Sequence, residues 1–76
     1  MERIAIDVAG SRAIAFAEYD PEDELLRIRY VDGETYDYLR VPPSIVEELV
    51  AAESKGKFVN KVIKPRFTPS KLARRA

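Results

Sequence analysis

The chain has 76 residues, with thirteen basic and thirteen acidic side chains and a formal net charge of zero, which allows one small domain and no second core. It contains neither cysteine nor histidine, which excludes disulfides, zinc sites of the Cys/His type, thiol catalysis and any triad built on imidazole. No apolar run approaches the ~20 residues needed to span a bilayer and the N-terminus lacks a signal-peptide core, so the expected location is the cytoplasm, with no membrane partner.

The zero net charge conceals a split. Residues 1–54 hold five arginines against thirteen acids, a balance of −8, whereas residues 55–76 hold Lys55, Lys57, Lys61, Lys64, Arg66, Lys71, Arg74 and Arg75 and no acid. Such asymmetry points either to a polyanionic partner or to a basic tail that neutralises an acidic body within one molecule.

In chain order, Ile4, Ile6 and Val8 alternate with Ala5 and Asp7, the pattern of a short half-buried strand, which Gly10 and Ser11 break. A small, apolar stretch from Arg12 to Tyr19 runs into Asp20-Pro21-Glu22-Asp23, a turn set by the proline. Leu25–Tyr30 and Glu34–Val41 flank Asp32-Gly33, a hairpin signal. A two-residue loop would put Asp37 opposite Ile28 on the apolar face. A three-residue loop with Gly33 in a left-handed bulge instead collects Leu26, Ile28, Tyr30, Tyr36 and Tyr38 on one face and pairs Arg27 with Asp37 on the other. A one-residue slip turns every side chain over, so the bulged register is expected.

Val41-Pro42-Pro43 ends the last of these strands, since neither proline can donate to a ladder. Pro43 suits the first turn of a helix, Ser44 and Glu47 spell a capping box, and Ile45, Val46, Leu49, Val50 and Ala52 recur at helical spacing. Gly56 stands where a helix of about eleven residues would take its C′ residue. Phe58, Val59, Val62 and Ile63 fit a second short helix better than a further strand, an alternative that the pattern leaves open. Pro65 and Pro69 close the ordered region, which makes residues 1–67 a single domain and 68–76 a basic, disordered tail. The expected core is Ile14, Phe16 or Ala17, Tyr19, Leu26, Ile28, Tyr30, Tyr36, Tyr38, Ile45, Leu49, Val50 and Ile63, within an α+β domain. Its antiparallel meander has three to four strands, with one helix packed on it and a short second helix or turn.

These residues in this order resemble the KTSC domain family, known from the C-terminal segment of some lysyl-tRNA synthetases and as a stand-alone bacterial protein. The resemblance rests on Ser11, Ile14, Tyr19-Asp20, Gly33, Tyr36-Asp37-Tyr38, Val41-Pro42, Ser54-Lys55-Gly56, Phe58-Val59-Asn60, Ile63 and Phe67, which span about residues 8 to 67. Three departures stand out: the serine stretch is reduced to Ser11, Val46 replaces a common tyrosine, and Val59 replaces the second aromatic of a pair. The synthetase context of the family implies RNA, as tRNA or a single strand, as a partner.

The residues themselves offer one candidate surface. Ser54, Lys55 and Lys57, followed by Asn60, Lys61, Lys64 and Arg66, join a helix end to a basic run, and these are the side-chain types that contact phosphates. Tyr36 and Tyr38 are aromatic groups of the kind that stack on bases, but the register turns them toward the core. Asp20, Glu22, Asp23 and Glu24 lack the spacing of a calcium loop and read as a solvated turn. Glu47 and Glu48 imply no pocket, and no glycine-rich phosphate loop occurs. The expectation is therefore a non-catalytic module without a cofactor or metal, binding RNA through its basic C-terminal segment. The alternative is a protein–protein interaction module with no nucleic-acid ligand.

Overall fold

The computed structural model describes residues 3–71. Its strands are β1 (Ile4–Ala5), β2 (Ile14–Asp20), β3 (Leu25–Tyr30), β4 (Thr35–Tyr38) and β5 (Pro69–Lys71). Between β4 and β5 come α1 (Pro43–Ala51), α2 (Lys55–Phe58), a π-helical turn (Val59–Ile63) and α3 (Lys64–Arg66), the last three forming one continuous helical run. The sheet is antiparallel, in the order β1-β2-β3-β4-β5. The class is α+β, with more strands than the sequence pattern implies. The additional strand is β5, which pairs Pro69 with Tyr38 and Ser70 with Asp37. Order therefore continues past Phe67 to Lys71, because the returning chain satisfies the open edge of β4. Residues 72–76, with Arg74 and Arg75, lie outside the described residues.

The β3–β4 hairpin takes the bulged register, with Leu26 opposite Tyr38, Arg27 opposite Asp37 and Ile28 opposite Tyr36. Gly33 sits at φ +93° and its amide donates to the Tyr30 carbonyl, which closes the loop in a conformation that favours glycine. On the outer face Arg27 grips Asp37 through two hydrogen bonds of 2.7 and 3.1 Å. Although it lies on the face opposite the core, the pair is largely shielded, for Asp37 is only 7% exposed.

In β2 the register shifts between Ile14 and Phe16, so both Ala15 and Phe16 face away from the core while Ile14 and Ala17 are buried. This bulge settles the choice between Phe16 and Ala17: the phenylalanine is turned outward, with the Arg29 guanidinium 5.8 Å from its ring centre. The acidic turn is also less solvated than its composition implies. Asp20 is buried and its Oδ1 accepts from the amides of Glu22 and Asp23.

Both peptide groups of Val41, a fully buried residue, are held: its amide donates to the Glu24 carbonyl at 2.8 Å and its carbonyl accepts from the Tyr19 hydroxyl. From this clamp the chain turns into α1, with Pro43 in its first turn. The Ser44/Glu47 capping box does not form. Pro42 is the N-cap and no side chain caps the helix, because the two prolines fix the entry in place of a side-chain cap. Ile45, Val46 and Leu49 face the sheet, whereas Val50, an expected core residue, is 54% exposed. The helix stops at Ala51, two residues short of the expected length, and Gly56 belongs to the next helix rather than to its C-cap. The sequence pattern also omits Ile6, Val41, Val46 and Val59 from the core, all of them buried.

Phe58–Ile63 is helical, as its spacing favours, but wound as a π turn in which the Lys64 amide reaches the Val59 carbonyl. Pro65, expected to end order, lies inside α3. Proline has no amide hydrogen and its ring would strike the carbonyl of residue i−4, here Lys61, so the wider turn just before it accommodates the ring. The turn keeps Val59 and Ile63 fully buried.

Leu49 is the deepest α1 side chain in this core, at 1% exposure. Leu49→Ala is expected to cost about 2–5 kcal/mol. Urea unfolding followed by circular dichroism checks this, and an unchanged midpoint would contradict the placement of α1.

Candidate functional site

The loop between β1 and β2 and the start of α2 meet at one end of the molecule. Gly10 takes φ +89°, and the Ser11 hydroxyl accepts from the Ile14 amide at 3.0 Å, which folds the loop back before β2 begins. Opposite, Ser54 caps α2, its hydroxyl accepting from the Lys57 amide. Gly56 faces the loop so closely that a Cβ there would lie 3.0 Å from the Ala13 methyl carbon. Between them lies a groove of about 530 Å³ lined by Gly10, Ser11, Arg12, Ser54, Lys57 and Asn60, among others.

The charged residues around this groove are Arg12, Lys55 and Lys57 against Glu53, a cationic excess. Lys55 is already engaged: its ammonium donates to the carbonyls of Val50 and Ala52 at 3.2 and 3.1 Å, so its charge is spent on the C-terminal end of α1. Arg12 and Lys57, both exposed, are the cations that this end of the molecule presents to solvent.

A second hollow, of about 630 Å³, adjoins the first and shares Arg12 and Ala13 with it. Tyr30, Val31, Asp32, Tyr36, Tyr38, Lys64 and Pro69 form the rest of its lining. The Tyr30 and Tyr36 rings meet edge to face, 5.7 Å between centres. The Tyr30 and Tyr38 hydroxyls are hydrogen-bonded at 2.8 Å, and burial raises both above the usual tyrosine range, Tyr30 strongly. The Lys64 ammonium lies 5.1 Å from the Tyr30 ring centre.

The structure thus divides the expected site. Ser54, Lys55, Lys57 and Asn60 line the basic groove, and Lys64 lines the aromatic hollow. Lys61 and Arg66 are exposed but line neither, Arg66 lying over the Phe67 ring at 5.9 Å. Tyr38 is a core residue, as the register implies, while Tyr36 is half-buried and opens onto the hollow. Sequence reasoning misses Arg12 altogether. It stands alone among small residues in an acidic half, and only the close approach of Gly56 to its neighbour Ala13 reveals its place. The one available signal is Gly10-Ser11, a tight turn immediately before it.

A small sheet with one face covered by helices and a basic groove at one end is a recognisable type of domain, and its relatives define it further. The family model for the KTSC domain matches residues 10–67. The chain belongs to the KTSC domain family. A crystal structure of a KTSC domain protein from Yersinia pestis superposes with a TM-score of 0.82 at 34% identity, covering 95% of this chain and 100% of that one. A protein of Tsukamurella paurometabola is 51% identical over 57 residues, 75% of this chain and 85% of the relative. A lysine–tRNA ligase of Nostoc punctiforme is 40% identical over 55 residues, which are 72% of this chain but 10% of the ligase. Among the described residues, no helix is long and apolar enough to cross a membrane.

If Gly56 fixes the groove, Gly56→Ala is expected to push α2 away from the loop, because the opposing methyl is attached directly to the backbone and cannot rotate aside. Removing that methyl with Ala13→Gly is expected to relieve the clash. The double variant should therefore be more stable than the sum of the single effects, by about 0.5–3 kcal/mol in a double-mutant cycle by urea unfolding. Simple additivity would contradict the contact.

Proposed function

We propose that this chain is a non-catalytic RNA-binding module that holds the sugar–phosphate backbone at its basic end. The observation that carries this reading is the groove in which Arg12, from the acidic half of the chain, joins Lys57 and Asn60 from the basic half. Lysine, arginine, serine and asparagine side chains supply most phosphate contacts in nucleic-acid complexes. Lys61 and Lys64, exposed further along the same helical run, extend the cationic surface beyond the groove. A matching segment within a ligase that acts on tRNA supports RNA over other polyanions.

The uneven charge gives this end its reach. Outward acids on α1, Glu47 and Glu48, repel a polyanion, so a strand is steered toward the C-terminal half. Contacts of this kind recognise backbone shape and charge rather than base sequence.

Fluorescence anisotropy with a labelled single-stranded RNA across a salt series tests the reading. With Arg12, Lys57, Lys61 and Lys64 neutralising about four phosphates, log K is expected to fall against log salt with a slope of roughly −2.8. Combining Arg12→Glu with Lys57→Glu should abolish binding while leaving the melting temperature nearly unchanged, since both side chains are exposed. Retention of full affinity by that variant, or no binding by the wild type at low salt, would overturn the reading in favour of a protein-interaction module.

A further inference from the structure

We propose that the aromatic hollow beside the groove receives one unstacked nucleobase, so that the preferred ligand is single-stranded RNA. This rests on the reading of the basic groove as a backbone site and adds to it what lies next to the phosphate.

Three features make the hollow suited to a base rather than to an aliphatic chain or a second phosphate. Its aromatic part consists of Tyr30, Tyr36 and Tyr38, of which Tyr30 and Tyr36 are half-buried. Stacking on such a surface is indifferent to base identity, because every base has a π-face. The tyrosine hydroxyls bond to each other across 2.8 Å, so the polar atoms of Tyr30 and Tyr38 are satisfied without a ligand and the rings present an uncharged surface. Finally, two cations, Lys64 beside Tyr30 and Arg12 shared with the groove, outnumber the one acid of the lining, Asp32. A nucleotide has this complementarity, a flat neutral ring attached to an anionic backbone.

The two hollows lie on either side of a shared wall. Arg12 and Ala13 belong to both, so a strand whose phosphate lies in the groove has an adjacent base within reach of the tyrosines. A duplex cannot use this arrangement, since its bases are paired and stacked inside the helix and its backbone alone would be engaged.

The test compares three labelled ten-nucleotide probes by anisotropy: oligoadenylate, an abasic oligomer with the same backbone, and a blunt RNA duplex. The wild type is expected to bind oligoadenylate roughly 5- to 150-fold more tightly than the abasic strand, the range that one stacked base supplies, and more tightly than the duplex. Tyr36→Leu, which keeps an apolar side chain at a half-buried position, should remove that preference and leave affinity for the abasic strand unchanged. Equal affinity of the wild type for oligoadenylate and the abasic strand overturns the base site while leaving the backbone reading intact, and needs no variant to fold. Failure to bind any probe at low salt overturns the backbone reading, and the base site with it.

Discussion

Gly56 and Ala13 come together so closely that a side chain at position 56 would crowd the loop, with 3.0 Å between the Ala13 methyl carbon and the position a Cβ would take. Both sides of the groove depend on this approach. It holds the β1–β2 loop against the start of α2, and so brings Arg12 next to Lys57 although 45 residues of sequence separate them. The supporting bonds are local and polar: Ser11 folds the loop onto Ile14, and Ser54 caps the helix through Lys57. Ser54 and Ser11 thus act as positioning residues, shaping the two walls. Lys55 is a further case, a cation on the groove whose charge is directed to the end of α1.

The placement of α2 depends in turn on how the chain leaves the sheet. Val41 is held through both of its peptide groups, by Glu24 and by the Tyr19 hydroxyl, at the point where β4 gives way to α1. Burial raises the ionisation range of Tyr19, which keeps that hydroxyl a donor. Two residues near this crossover, Glu24 and Arg40, take positive φ values of 51° and 62°. Left-handed conformations are costly for such side chains, and the hydrogen bonds and packing around Val41 offset the cost. With α1 fixed by this clamp and by Leu49, the helical run beginning at Lys55 can fill the remaining open face with Val59 and Ile63 and return the chain to the edge of β4.

Much of this was legible in the residues wherever a periodic pattern and a geometric requirement agreed. The β3–β4 register followed from keeping Asp37 off the apolar face and from the left-handed glycine at position 33. Legibility failed where a local irregularity shifts the period. The bulge in β2 turns Phe16 outward against its hydrophobicity, and the prolines before α1 displace the capping box that Ser44 and Glu47 spell. The π turn accommodates a proline that usually marks an end. Strand β5 escaped notice because three residues, one of them proline, carry no alternation of their own and gain order only from the edge they cover. At the site, the basic run was visible as composition, but its division was not: Lys57 at the groove, Lys64 over a tyrosine and Lys55 on a helix end are decided by tertiary contacts. Arg12 is the extreme case, a lone cation whose role depends on a residue more than forty positions away.

The proposed ligand surface lies at one end of the molecule, whereas the outer face of the sheet carries a ladder of ion pairs joining Arg3, Glu18, Arg27 and Asp37. An amide-resolved NMR titration with a short single-stranded RNA distinguishes these surfaces directly. The expected result is a contiguous set of shifted resonances at Gly10, Ser11, Arg12, Ala13, Gly56, Lys57 and Asn60, with those of Phe16, Glu18 and Arg27 undisturbed. Shifts centred on the outer sheet face, or none at the loop that carries Arg12, would contradict it.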